Sequence, residues 1–130
     1  MLTYQDDLAG VTEASLGGFF ERWPSPPSPA THRRLLEGGD LVAIARDDDR
    51  VVGFATAITD GVLSACIPLL EVLPTYRGHG IATALVERLL GRLAELYMVD
   101  VVCDDDLVPF YERLGFTRGV SMMRRNYASL

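Results

Sequence analysis

Residues 72–83 read Val-Leu-Pro-Thr-Tyr-Arg-Gly-His-Gly-Ile-Ala-Thr and join an apolar, strand-like run to a helical pattern. The first N–H groups of a helix have no partner inside the helix, and they lie at the positive end of its dipole. Gly78 and Gly80 have no side chains, so an anion can approach the backbone there, and Arg77 can add positive charge at the rim. The segment therefore predicts a site for the diphosphate of a phosphate-bearing cofactor.

The segments on both sides of this turn have clear periodicity. After the turn, apolar residues recur at helical spacing, which predicts a long amphipathic helix; they are Ile81, Leu85, Leu89, Leu93 and Leu96. Before the turn, residues 62–72 are predicted to form a strand. Pro68 lies inside that strand and requires an irregularity such as a bulge, because proline cannot donate to a sheet ladder.

The remaining segments predict a mixed arrangement of strands and helices. Strands over 41–45 and 51–59 form a hairpin across the acidic turn 47–49, and a strand at 98–103 precedes a helix at 107–114. Residues 116–127 are expected to supply one or two closing strands. Near the start, short helices are predicted over 11–22 and 30–37, on either side of a proline-rich loop that contains Trp23. The order is strand, two helices, three strands, helix, strand, helix, strand.

Composition limits the classes of function. With 130 residues, 48% hydrophobic and 23% charged, the chain is expected to form a single soluble domain over residues 1–130. No apolar run approaches the roughly 20 residues that span a bilayer, and the acidic start is unlike a secretory signal, so we expect a cytoplasmic protein with no membrane partner. A net charge of −6 disfavours nucleic acid as a partner.

Two residue types exclude further chemistry. The sequence contains no lysine, which removes Schiff-base catalysis and the P-loop lysine. Cys66 and Cys103 do not have the spacing of a redox motif or a zinc site, so we expect buried, reduced thiols and no bound metal.

The glycine-containing turn leaves an alternative open. A dinucleotide fingerprint matches at Gly78 and Gly80, and Asp100 lies about 20 residues further on, where that motif has an acid. However, Thr83 replaces the third glycine. The preceding strands also indicate an antiparallel meander, which a dinucleotide-binding fold would not supply.

Two blocks resemble the GNAT superfamily of N-acetyltransferases. Its cofactor motif, Arg/Gln-x-x-Gly-x-Gly/Ala after a strand ending in Val-x-Pro, is matched by Val72, Pro74, Arg77, Gly80 and Ala82. A second family block is matched by Phe-Tyr-Glu-Arg-Leu-Gly-Phe at residues 110–116. The resemblance implies an α+β fold, a three-layer α/β sandwich whose mixed, mostly antiparallel central sheet has two splayed parallel strands and flanking helices.

The resemblance also implies acetyl-coenzyme A as co-substrate, without a metal. Backbone groups of Leu70 and Val72 would pair with the pantetheine arm between the splayed strands. The pyrophosphate would lie on the turn and the helix start, at Arg77, Gly78, His79, Gly80, Ile81, Ala82 and Thr83. Asp104 stands where many members have an asparagine that contacts the cofactor, and a carboxylate accepts but does not donate hydrogen bonds.

The catalytic residues predicted on this basis are Tyr111 and Glu71. Tyr111 matches the tyrosine that the family often uses to protonate the departing thiolate, although it could also serve only in packing. Glu71 is an acid embedded in the apolar end of the strand, which suits a general base, although its side chain could equally face solvent. The family expectation is direct transfer in a ternary complex. His32 could line an acceptor pocket or lie on a helix surface.

The sequence does not identify the acceptor. A primary amine is expected, carried by a small molecule or a peptide, because a cation suits an acidic protein. A non-catalytic domain that binds acetyl-coenzyme A as a sensor is the main alternative. A homodimer is also conceivable, with Arg124 and Arg125 near a subunit interface.

Overall fold

The computed structural model describes residues 1–129 and contains one five-stranded sheet with three α-helices. The strands are β1 (Leu2–Gln5), β2 (Leu41–Asp47), β3 (Arg50–Thr59), β4 (Ser64–Val72) and β5 (Met98–Asp100). The helices are α1 (Pro29–Gly38), α2 (Ile81–Arg92) and α3 (Val108–Arg113). Within these residues no helix is long and apolar enough to cross a membrane.

The strands lie in the order in which they occur along the chain, from β1 to β5. Every neighbouring pair is antiparallel except β4 and β5, which are parallel and connected through α2. This arrangement confirms the predicted mixed, mostly antiparallel sheet. It overturns the dinucleotide-binding alternative, because such a fold requires a largely parallel sheet.

The sheet carries a different layer on each face. Gly53 in β3 lies under α2, where an added Cβ would be 3.1 Å from Ile81 Cγ2 and 3.1 Å from Leu85 Cδ1. Glycine at this position therefore allows the helix to approach the sheet closely. The next residue, Phe54, points to the opposite face. There it packs against the rings of Phe19, Phe20 and His32, whose centroids lie 5.2, 5.8 and 4.5 Å away.

Apolar burial on the α2 face stabilises the crossover between the two parallel strands. Ile81, Leu85, Val86 and Leu89 are almost fully buried and follow the predicted helical spacing. Each such aliphatic side chain contributes about 1.5–3 kcal/mol when it leaves water. The helix is thereby fixed against the sheet, and so is the turn that precedes it.

The irregularity predicted at Pro68 is present as a bulge in β4. Thr56 of β3 pairs with Leu69, whereas Ile58 pairs with Cys66, so the register shifts by one residue between them. Ile67 and Pro68 thus stand opposite a single residue of β3.

The parallel strands separate directly before that bulge. β4 and β5 pair only from Ser64 with Met98 to Cys66 with Asp100. β4 then continues to Val72 without β5 beside it, while the chain after Asp100 runs on outside the sheet. We call the opening between residues 67–72 and 101–103 the wedge.

Several predictions of secondary structure were wrong. The helix over 11–22 is reduced to a 3₁₀ turn at Glu13–Ser15, because Gly18 and Phe20 adopt left-handed conformations with φ of 89° and 63°. The strand expected at 98–103 ends at Asp100, where its pairing with β4 stops. The strand at 62–72 begins only at Ser64, because the Asp60 carboxylate holds the preceding turn by accepting from the Val62 and Leu63 amides.

The closing strands expected over 116–127 are also absent from the described residues. Residues 116–126 belong to no helix or strand, and all side chains from Thr117 to Ser129 are exposed. Alternating apolar residues are typical of a strand, but a strand forms only where a sheet edge pairs with its backbone.

The prediction of buried thiols was also wrong for one cysteine. Cys66 is exposed, whereas Cys103 is half-buried.

Candidate active site

The turn between β4 and α2 has the open backbone that the sequence predicts. Gly78 and Gly80 have φ values of 80° and 77°, a left-handed conformation that side chains rarely tolerate. A Cβ added at either glycine would meet nothing within 4 Å. The space in front of both residues is therefore free for another molecule.

The backbone N–H groups at this turn are free as well. Among residues 1–129, none of the N–H groups of residues 78–83 donates a hydrogen bond, and the Ala84 N–H is the first to do so, to the Gly80 carbonyl at 3.1 Å. These donors lie together at the positive end of α2. They form a cradle suited to a diphosphate, with the backbone of Gly78, His79, Gly80, Ile81, Ala82 and Thr83 as its lining.

The two polar side chains of the turn support its shape. The His79 Nδ1 lies 2.9 Å from the Arg77 carbonyl and 3.0 Å from the Tyr76 carbonyl, so an Nδ1–H donates back into the turn. His79 therefore offers a ligand its backbone and not this ring nitrogen. The Arg77 Nε donates to the Val72 carbonyl at 3.2 Å. That bond places the guanidinium between the strand end and the cradle.

The strand edge that borders the wedge also presents unpaired backbone groups. The Leu73 N–H donates to the Val52 carbonyl of β3 at 2.8 Å. Because backbone groups alternate in direction along a strand, those of Leu70 and Val72 point away from β3, toward the wedge. The contact of the Val72 carbonyl with Arg77 agrees with this direction. An extended ligand with amide groups could pair with this edge as a strand would.

Tyr111 of α3 is buried at the far side of the wedge. Its ring packs edge to face on Phe110 and Phe116, with centroids 4.9 and 5.4 Å apart. Burial, with a smaller effect from the nearby Cys103, raises the pKa of Tyr111 to about 12. The hydroxyl therefore stays protonated at neutral pH, and no hydrogen bond of this group is found within residues 1–129.

Glu71 points to the face opposite α2. It pairs with Phe54 in the sheet register, and its Oε1 accepts a hydrogen bond from the Phe20 N–H at 3.0 Å. Its Oε2 is buried without a hydrogen-bond partner among the described residues. Burial raises the pKa of Glu71 and outweighs the Phe20 bond and the nearby Arg77, which both lower it. The carboxyl is half-buried and is not simply a solvated surface acid.

Nothing in the local sequence indicates the role of Phe20. Its φ of 63° is uncommon for a residue with a side chain, and the bond to Glu71 helps to hold it in that conformation. Its ring contacts Trp23 and His32 with centroids 4.9 Å away in both cases. The hydrogen bond from the Phe20 N–H to Glu71 thus connects the N-terminal segment that carries Phe20 and Trp23 to β4, the strand that borders the wedge.

His32 belongs to the same aromatic cluster. It is only 1% exposed, and its Nε2 has no partner within the described residues. Burial lowers the pKa of His32 to about 4, so the ring is neutral at physiological pH. The alternative of a surface histidine is therefore wrong, and the ring lies within the core beside Phe54.

Comparison with known proteins identifies the family. Residues 8–116 match the family model described as the acetyltransferase (GNAT) family. The chain belongs to this family. The match covers the cradle, the wedge and Tyr111.

Individual relatives of this GNAT chain agree with that assignment. A protein from Deinococcus radiodurans R1 with a known crystal structure, assigned as an acetyltransferase, is 50% identical with a TM-score of 0.94. The match covers 98% of this chain and 90% of that chain. A GNAT family acetyltransferase from Streptococcus pneumoniae TIGR4 is 26% identical with a TM-score of 0.69. The match covers 97% of this chain and 100% of that chain.

Among the curated proteins, GCN5-related N-acetyltransferase 2, chloroplastic, from Arabidopsis thaliana is 34% identical over 82 residues. The match covers 62% of this chain but only 31% of that relative. The GNAT chain thus spans about a third of the length of this curated relative.

The site residues fall into two groups in the GNAT domain. The cradle, the wedge edge at Leu70 and Val72, and Glu71 lie along one continuous segment, while Tyr111 approaches from α3. Asp104 is different: it is exposed, precedes the 3₁₀ turn Asp105–Leu107, and its side chain makes no capping hydrogen bond. In the part of the chain that the structure describes, no group of three His, Cys, Asp or Glu residues is placed to hold a metal ion.

Proposed function

We propose that this GNAT domain binds acetyl-coenzyme A and transfers the acetyl group to a primary amine by direct attack within a ternary complex. The observation that carries the proposal is the set of free N–H groups at residues 78–83, next to an open wedge between two parallel strands. An anion fits the first feature and an extended amide chain fits the second. Coenzyme A joins these two chemical groups in one molecule.

The residues present would hold the cofactor in a defined order. The cradle would bind the pyrophosphate through backbone donors, and Arg77 would add its charge. Leu70 and Val72 would pair with the amides of the pantetheine arm, as strands pair with an extended peptide. A strand N–H in the wedge would stabilise negative charge on the thioester oxygen during attack. Asp104, at the exit of the wedge, is a further proposed contact through its backbone or carboxylate.

Tyr111 would act on the departing sulfur. With a pKa near 12 it remains a neutral donor across the working pH range. A free thiol has a pKa of about 8.5, so complete proton transfer from Tyr111 to a free thiolate is unfavourable. We therefore assign Tyr111 a hydrogen bond to the sulfur that strengthens as the carbon–sulfur bond breaks, so that coenzyme A leaves as a stabilised thiolate and takes its proton from water after release.

Glu71 would act as the base for the amine. The unpartnered Oε2 is free to accept a proton, and a raised pKa makes the carboxylate a better base than an exposed one. The amine nitrogen bonds to the acetyl carbon, the carbon–sulfur bond breaks, and the amine's surplus proton goes to Glu71. Burial also raises the pKa of the Cys103 thiol, which disfavours an acetyl-cysteine intermediate at that residue.

Cofactor binding is tested by thermal shift with acetyl-coenzyme A and with NAD. We expect the former alone to raise the melting temperature. Gly80→Ala should weaken binding of coenzyme A at least tenfold, because a Cβ there enters the cradle. Gly61→Ala is the matched control, since Gly61 has a φ of 74° and open space but lies in the β3–β4 turn. Equal affinities of the two variants would contradict the proposed cradle.

Catalysis is tested by thiol release from acetyl-coenzyme A with a panel of small amines and peptides. Release that depends on an amine supports transfer, whereas stabilisation without release supports the sensor alternative. The net charge of −6 favours cationic acceptors over acidic ones such as nucleic acid. From the composition we also propose a cytoplasmic location without a membrane partner.

A further inference from the structure

The turn that carries the cradle has few polar contacts with the rest of the chain. Residues 73–80 join β4 to α2, and a Cβ added at Gly78 or Gly80 would meet nothing within 4 Å. Within the described residues, the hydrogen bonds made by the side chains of this turn stay inside residues 72–80, with one exception. Glycine also has the greatest backbone freedom of any residue. A contact from outside the turn is therefore needed to keep the free N–H groups aligned.

The side chain of Tyr76 makes that one contact. Its Oη donates to Asp47 Oδ2 at 2.6 Å, a distance typical of a hydroxyl bound to an ionised carboxylate. Asp47 ends β2 and pairs with Arg50 at the start of β3. The bond thus fastens the turn to the β2–β3 hairpin, 29 residues away in sequence. The ring itself is half-buried and packs against the core.

The backbone of Tyr76 connects the same residue to the cradle. Its carbonyl accepts the Nδ1–H of His79, which lies between the two glycines, at 3.0 Å. Its N–H donates to the Leu73 carbonyl at 2.9 Å, next to the end of β4. Tyr76 therefore joins three parts of the molecule, namely the hairpin, the strand end and the cradle.

The hydroxyl of Tyr76 is committed to Asp47 and not to a ligand. The hydrogen bond from Tyr76, followed by that from the N-terminal amine of Met1, lowers the pKa of Asp47. The same bond to Asp47 raises the pKa of Tyr76. At neutral pH the pair is thus a carboxylate that accepts and a neutral phenol that donates its single proton. Tyr76 can act on the cradle, but this proton is not available to a bound diphosphate.

We propose that Tyr76 is a positioning residue for the diphosphate, and that its bond to Asp47 holds the 3₁₀ turn Pro74–Tyr76 against the sheet. The free N–H groups of residues 78–83 are then aligned before an anion arrives. Donors that are already ordered lose less conformational freedom on binding, so the bond contributes to affinity and not to the chemical step. This role rests on the proposed binding of coenzyme A and adds to it a residue that does not touch the cofactor.

The experiment compares two ligands by calorimetry with wild type and Tyr76→Phe. Phenylalanine keeps the packed ring and removes only the hydroxyl. The dissociation constant of coenzyme A should rise about three- to tenfold. That of pantetheine, which has no diphosphate, should stay unchanged, as should kcat at saturating acetyl-coenzyme A. Tyr97→Phe is the matched control, because Tyr97 is 85% exposed and precedes β5 at the end of β4 opposite the cradle. Its affinity for coenzyme A should equal that of the wild type.

A double-mutant cycle with Asp47→Ala tests whether the two residues act through their shared bond. Asp47→Ala also removes the 2.9 Å contact of Oδ1 with the N-terminal amine, but it does so in both backgrounds and cancels in the cycle. The effects of the two substitutions on coenzyme A affinity should therefore not add. Additive effects would overturn the proposal. An unchanged affinity of Tyr76→Phe, or an equal loss of pantetheine binding, would do the same.

Hydrogen exchange of the unliganded chain gives a reading that does not require a cofactor. The Tyr76 and Arg77 amides donate to the Leu73 and Pro74 carbonyls inside the turn, and Tyr76→Phe should accelerate their exchange. The Leu93 amide at the end of α2 should exchange as in the wild type. A wild type that does not bind coenzyme A would contradict the proposed function. Exchange would then decide on the positioning role alone, and unchanged rates at residues 76 and 77 would overturn it.

Discussion

Replacing His32 with leucine should remove much of the acid sensitivity of the fold. His32 is 1% exposed, and burial lowers its pKa to about 4, whereas in the unfolded chain it titrates near 6.5. Between these values the unfolded state binds a proton that the folded state does not. The free energy of unfolding therefore falls as the pH drops below 6.5 and levels off below about 4.

The magnitude follows from the difference between the two pKa values. Each pKa unit corresponds to about 1.4 kcal/mol, so the full effect is about 3.5 kcal/mol, of which about 2–3 kcal/mol should already be lost at pH 4.5. Leucine has a similar volume and no ionisable group, so His32→Leu lacks this contribution. The acidic side chains are present in both proteins, so their contributions to the pH dependence of stability cancel when the two proteins are compared.

Urea unfolding at several pH values from 7 to 4.5 provides the measurement. The stability of the wild type minus that of His32→Leu should fall by about 2–3 kcal/mol over this range. Parallel curves for wild type and His32→Leu would show that His32 is not buried as a neutral ring.

Three further predictions concern the site and the packing. Tyr111→Phe should lower kcat roughly 10²-fold or more with little change in affinity for coenzyme A, and an unchanged kcat would remove its proposed role. In the wild type, activity should fall as the pH drops through the raised pKa of Glu71, and Glu71→Gln should abolish that acidic limb; an identical pH–rate profile would contradict its role as the base. Gly53→Ala should cost about 1–3 kcal/mol in urea unfolding because its Cβ would press on α2, whereas Gly38→Ala, with nothing within 4 Å, should be neutral or stabilising.

Local signals explain which parts of the fold could be predicted from the sequence. The helical spacing from Ile81 onward depends on residues that are neighbours on one helix, and α2 begins there. Pro68 cannot donate to a ladder wherever the strand lies, so its bulge was also predictable. The open backbone in front of Gly78 and Gly80 was predictable too, because it follows from the absence of side chains there.

Long-range relations explain what the sequence could not supply. Glu71 and Phe20 are 51 residues apart, and nothing local indicates that one carboxylate fixes the backbone of the other segment. The burial of His32 likewise depends on Phe54, which reaches it only through the sheet. For residues 116–127, the alternating pattern predicted strands that the described residues do not form, because whether a strand forms depends on which edge it meets.

The bulge at Pro68 has a consequence for how fast a ligand can be captured. Pro68 offers no N–H to a sheet ladder, and β4 and β5 are already separated beyond Cys66 and Asp100. An incoming molecule then encounters a slot that needs no prior rearrangement. Its association rate should be limited by diffusion and orientation, and stopped-flow traces should rise linearly with ligand concentration without reaching a plateau.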